Sequence, residues 1–194
     1  MSINFFVIII VVLVILIYLI SRKPSMSDGD EFRGWKDFAE EHGLIYKAGT
    51  ILEPVVITGN YCSHLVNIEI ASGSLLETGG GYWFYTKINF DFAHQIAGRV
   101  SIKRKNVFSK GQFTTGDTVF DNKYSIDGWP EELVRQFVDS TDFSRRILKI
   151  NPSLLRSTNK GLSLFLDRIE NSNKDVNVIM STICNIAKIV TNQK

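Results

Sequence analysis

GYWFYTKINFDF, residues 81–92, decides the fold. Aromatic and β-branched side chains crowd these twelve positions, with Gly81 at the start and no helical period. That composition suits a pleated, half-buried surface. The stretch therefore reads as a strand, with Trp83, Tyr85 and Phe92 as core or cross-strand candidates. Upstream, HLVNIEIAS (64–72) alternates Leu65, Asn67 and Glu69 against Val66, Ile68 and Ile70, the period of two that a strand requires. VVITGNY (55–61) precedes it across a Tyr-Cys-Ser turn, which predicts a hairpin. Downstream, RVSIKRKNVF (99–108) and the short KYSID (123–127) continue the series, giving about five strands.

Helical patterns flank the strands. In EFRGWKDFAEEHGL (31–44), Phe32, Trp35, Phe38 and Ala39 recur every three to four residues, and Gly43 is placed to end the helix. Gly128-Trp129-Pro130-Glu131-Glu132 opens another, with proline at the first helical position and acids at the positive end of the helix dipole. Leu133, Phe137 and Val138 give it an apolar face. DSTD (139–142) interrupts it, and Thr141 or Asp142 can cap a second segment through Phe143, Ile147 and Leu148 that closes at Pro152. SLLRSTNKGLSLFLDR (153–168) reads as a hairpin turning at Asn159-Lys160-Gly161. Val176, Ile179, Met180, Ile183, Ala187 and Val190 mark a final amphipathic helix. The expected class is α+β, with a mainly antiparallel sheet and about three packing helices in one domain over 32–194.

Ahead of this domain lies FFVIIIVVLVILIYLI (5–20), sixteen apolar residues without a break. Counted from Ile3, a helix over this run would rise about 27 Å, close to the thickness of the hydrocarbon core. Met1 to Asn4 carries no basic side chain, and no small-x-small cleavage site follows, so a retained signal-anchor fits better than a cleaved leader. The expectation is a transmembrane anchor at 1–23, contacting the bilayer through 3–20, and a polar linker at 24–31. Arg22 and Lys23 then favour a cytoplasmic domain, with Tyr18 at the headgroup level.

The chain has 194 residues, with 22 basic and 20 acidic side chains and a net charge of +2, which argues against nucleic acid as a partner. Cys62 and Cys184 are isolated from each other and from any C-x-x-C pattern. They suit neither a zinc site nor a disulfide framework, and two buried thiols in a reducing compartment fit better than a single bridge. No cofactor is implied.

The run Gly116-Asp117-x-x-Phe120-Asp121-x-x-Tyr124 resembles the GD-x-x-FD-x-x-F motif of small uncharacterised prokaryotic membrane-anchored proteins, the DUF3137-type group. Trp35 to Leu44, Val56 to Tyr61 and Arg145-Arg146-x-Leu148 are similar to their other short motifs. Tyr124 stands where phenylalanine is usual, and Gly79 to Gly81 extends a loop. The resemblance implies a domain held at a prokaryotic cell membrane. It imports no activity.

Candidate sites are few. Asp117 and Asp121, with Asp127 beyond them, could serve as acid and base or as metal ligands. The bland alternative is a turn in which Asp121 bonds local backbone while Phe120 and Tyr124 enter the core. Arg99, Lys103, Arg104, Lys105 and Lys110 form a basic stretch without acids. It could meet anionic lipid, or nucleic acid with Phe108 stacking, or be the solvated face of an ordinary strand. The glycines at 79–81 lack the residues of a phosphate loop and read as a hairpin loop. His64 lies beside Cys62 and Ser63, where a Cys–His nucleophile is conceivable. His42 suits a helix end and His94 a loop. Three functions compete: a membrane-tethered, non-enzymatic interaction domain with a protein partner; a binder of anionic lipid or nucleic acid through 99–110; and a hydrolase using Asp117, Asp121 and His64.

Overall fold

The computed structural model describes residues 30–50, 53–74, 82–106, 111–140 and 142–191. A 3-10 turn (Asp30–Phe32) leads into α1 (Arg33–Glu41), then β1 (Ile45–Lys47), β2 (Val55–Tyr61), β3 (His64–Ser74), β4 (Tyr82–Asp91) and β5 (Arg99–Arg104). After α2 (Thr118–Lys123) come β6 (Tyr124–Trp129), α3 (Glu131–Val138), α4 (Phe143–Ile150), β7 (Leu154–Ser157), β8 (Gly161–Leu166) and α5 (Asn173–Thr191).

All eight strands join one antiparallel sheet in the order β1-β2-β3-β4-β8-β7-β5-β6. The first four strands form a meander. Between β2 and β3 the turn is two residues long, and Cys62 and Ser63 both take left-handed backbone angles (φ 53° and 67°). A hairpin of type I′ demands this of its two central residues. The β7–β8 hairpin, late in sequence, fills the gap between β4 and β5. The sheet is therefore continuous only once that hairpin is in place.

The pleat sorts the strands into two faces. One row across the sheet runs Ile57, Ile68, Ile88, Leu164, Leu155, Ile102 and Ile126, all buried. The helices pack on this side: Trp35 and Phe38 from α1, Phe120 from α2, Leu133, Val134 and Phe137 from α3, Phe143 and Ile147 from α4, and the apolar stripe of α5 all join the same core. Close approach helps. A Cβ on Gly128 of β6 would stand 2.5 Å from Val134 Cγ2, so only glycine lets α3 lie this near. The other face carries no packed helix among the described residues.

Several expectations are corrected. The fold is not an α+β chain made of a transmembrane helix and a sheet with about three packing helices. Among the described residues it has eight strands and five α-helices, and no helix is long and apolar enough to cross a membrane. The single-pass, signal-anchor assignment, and with it the placement in a cell membrane with a cytoplasmic domain, thus finds no support. The span expected at 3–20, the anchor at 1–23 and linker residues 24–29 lie outside the described residues, while Asp30 and Glu31 belong to the opening turn. Apolar length measures transfer into lipid; the described apolar residues go instead into the sheet–helix core. The two thiols are also revised. Cys62 and Cys184 form a disulfide that fastens the β2–β3 turn to α5. Pro130 precedes α3 rather than opening it, and Asp142 pairs with Arg145 at 3.2 Å without capping α4. Tyr85 falls on the uncovered face, while Ile88 and Phe90 enter the core.

Candidate ligand site on the uncovered sheet face

The basic stretch at 99–110 does not act as a unit, because the pleat divides it. Val100 and Ile102 are buried, which turns Arg99, Ser101 and Lys103 to the uncovered face. Arg104 has the opposite parity and is taken up by structure. Its guanidinium donates to Asp167 Oδ2 at 3.0 Å and to the Asn151 carbonyl at 3.2 Å. Tyr124 donates its hydroxyl to Asn151 Oδ1 at 3.0 Å in the same cluster. Burial pushes that hydroxyl's pKa up, against the opposing pull of Arg104. Lys105 donates through Nζ to the Asp121 carbonyl. Lys110, with Phe108, lies outside the described residues.

Neighbouring strands complete what Arg99 and Lys103 begin. Arg156 of β7 stands in register with Ser101, and so does Asp127 of β6 from the other side. Trp129 pairs with Arg99 at the sheet edge and is 65% exposed. These residues line a groove of about 1000 Å³. None of the head groups of Arg99, Lys103 and Arg156 has an ion-pair or hydrogen-bond partner among the described residues. On the groove floor the Ser101 hydroxyl is enclosed and unpartnered. The middle of the same face differs. There Lys87 pairs with Glu69 at 3.7 Å, Asn67 donates to Glu69 at 3.2 Å, and Ser163 donates to Asn89 at 2.8 Å. Lys87, Glu69, Asn89 and Ser163 are thus matched over β3, β4 and β8, although Asn67 Oδ1 has no partner among the described residues, while Arg99, Lys103 and Arg156 are left open over β5 and β7.

Reading the sequence found Arg99 and Lys103 but missed Arg156 and Trp129. Arg156 alternates with the buried Leu155 and Ser157, so its outward direction was legible. That β7 would lie beside β5 was not, since the two strands are separated by some fifty residues.

The acidic motif takes its bland form. Asp117 caps α2, accepting from Val119 N at 2.9 Å and Phe120 N at 3.2 Å. Asp121 accepts from Thr115 N and Oγ1, both at 2.9 Å, and from Gly116 N at 3.0 Å. Gly116 has φ 79°, a backbone angle that glycine takes without strain. Phe120 and Tyr124 are core residues. Both carboxylates are thus consumed in shaping one turn.

His64 is far from that turn. It begins β3, third in the sheet order, whereas α2 leads into β6, the eighth. Five strand spacings amount to about 24 Å. The ring of His64 sits against Phe90 and Phe92, and Cys62 beside it is bonded to Cys184. The structure therefore does not bring Asp117, Asp121 and His64 together, and Cys62 offers no thiolate. Among the described residues no group of three or more His, Cys, Asp or Glu could hold a metal ion.

His42 ends α1 with its ring against Phe38 and Tyr61 and its Nε2 3.2 Å from Asn177 Oδ1. Next to it, Asn173 donates to Glu41 at 2.9 Å. This bond, then one from Asn177, holds the Glu41 carboxyl below the usual carboxylate range. His94 is an exposed loop residue, and the glycines at 79–81 lie outside the described residues.

No family model and no curated protein matches the chain. Among solved structures, the mycobacterial trehalose monomycolate transport factor A, TtfA, is similar in fold. The match has a TM-score of 0.50 at 9% identity and covers 84% of this chain and 97% of that one. At that identity the likeness concerns the fold alone.

Proposed function

We propose that the described domain is a non-enzymatic interaction domain that binds an anionic partner through the β5–β6–β7 end of its uncovered sheet face. One observation carries the reading: Arg99, Lys103 and Arg156 converge from two adjacent strands on one groove without an ion-pair partner among the described residues, whereas Lys87 in the middle of the same face is paired with Glu69. Unpaired cations beside an enclosed hydroxyl are set to receive an anion, and two arginines can each grip an oxyanion with paired N–H donors. The reading keeps two residues of the basic strand and sets aside Arg104 and Lys105, which are committed to the fold. The disulfide supports maturation in an oxidising environment.

Titration with inorganic phosphate, followed by backbone amide NMR, tests this. Shifts should cluster at 99–103, 127–129 and 154–158, weaken with added salt and vanish in the R99E/K103E/R156E variant. Scattered shifts, or shifts that survive the triple reversal, would defeat it.

A further inference from the structure

Resting on that reading, we infer that the partner is an acidic saccharide, held with a sugar ring against Trp129 and its anionic group between Arg99 and Arg156. The groove is not a simple cationic patch. Its exposed indole lies in register with Arg99, so a flat apolar surface and a guanidinium stand side by side at one end. A pyranose has a C–H face that such a ring can cover, and an acidic sugar places its carboxylate, sulfate or phosphate next to that face.

The floor fits hydroxyl groups. Ser101 lies beneath the lining with its hydroxyl enclosed, and Asp127, in register with it, supplies an acceptor for O–H donors. Gln112 adds an amide whose Oε1 is only loosely engaged, 3.5 Å from the Gly128 N–H. The Asp127 carboxylate and the Gln112 amide together present acceptors and a donor, which suits the mixed donor and acceptor character of sugar hydroxyls.

Asp127 also discriminates. A carboxylate in the middle of the groove repels a run of phosphates, which disfavours polyphosphates and nucleic-acid backbones, while a single anion can sit on the arginine side of it. Trp129 provides one open platform, and among the described residues no second aromatic side chain lines the groove, so there a nucleobase would gain stacking on one side only.

The full chain, with its disulfide intact, is titrated with a hyaluronan-derived tetrasaccharide, neutral maltotetraose, inorganic phosphate and ADP. Tryptophan emission and amide NMR are the readouts. The tetrasaccharide should bind about tenfold or more tightly than phosphate, with a change in Trp129 emission, and maltotetraose should bind far more weakly. W129A should lose that tenfold gain and keep phosphate binding, since its side chain lies at the surface and outside the core. A tetrasaccharide no tighter than phosphate, or indifferent to W129A, overturns the saccharide and leaves the anion site standing. Tighter binding of ADP overturns it in favour of a nucleotide. Failure of phosphate and tetrasaccharide alike overturns both the saccharide and the anion site.

Discussion

Two adjacent rows of the sheet show how one backbone carries two different surfaces. Ile57, Ile68, Ile88, Leu164, Leu155, Ile102 and Ile126 face the helices, and one residue along each strand Thr58, Asn67, Asn89, Ser163, Arg156, Ser101 and Asp127 face away. The first row is all aliphatic and buried; the second has no aliphatic member. The covered face holds the molecule together by area removed from water. The uncovered face is stabilised little by its own side chains, and its β5–β7 end is not even internally paired. A face that contributes little to stability while keeping three cations unmatched is one where composition is free to answer to a ligand.

The comparison can be broken most directly at two neighbours on β5. Ile102→Ala should cost about 2–5 kcal/mol in denaturant unfolding, because it removes buried methyl groups from the middle of the core. Ser101→Ala should be near neutral or slightly stabilising, because it deletes an enclosed hydroxyl that has no partner. Equal losses at both sites would mean that the uncovered face is structural after all.

Replacing Cys62 and Cys184 with serine tests how far the covered face depends on its clamp. A crosslink closing a loop of this length should contribute on the order of 2–5 kcal/mol, read as a lower midpoint with the denaturant slope judged separately. Asp121→Ala should cost about 1–3 kcal/mol through loss of its contacts to Thr115 and Gly116, and Asp117→Ala about 1 kcal/mol as a lost helix cap. Neither should alter anion binding. Lys103→Ala should stay within about 0.5 kcal/mol of the parent while weakening phosphate binding.

The smallest effect is at Glu41. Its folded pKa is lowered, so its contribution to stability is present above the ordinary carboxylate pKa and fades as pH falls through the folded value. Carboxyl-carbon NMR should find Glu41 titrating below the ordinary carboxylate range, and Asn173→Ala should bring it back towards that range. An unchanged Glu41 in that variant would point to a different source.

Much of this was legible from residue patterns. Val55–Tyr61 was bounded as found, and the stripe from Val176 to Val190 picked out buried residues of α5. Such segments are long enough for their period to show. β1 has three residues and α2 has six, too few for a period, and both went unread. The candidate site was half legible. Alternation gave the direction of Arg99 and Lys103, but the groove needs β7 beside β5, a pairing across distant sequence that no local pattern encodes. The charges of Arg104 and Lys105 misled for the same reason: their partners Asp167 and Asp121 come from elsewhere in the chain.

The Cys62–Cys184 bond makes a covalent ring of everything from β3 to the middle of α5, leaving α1, β1 and β2 as a tail on one side and the end of α5 on the other. A protease that cuts once anywhere within 63–183 cannot release a piece. The nicked protein would travel as one band until reduced and then fall into two. An exposed turn such as Thr158–Lys160, between β7 and β8, can thus be cleaved without the molecule being lost.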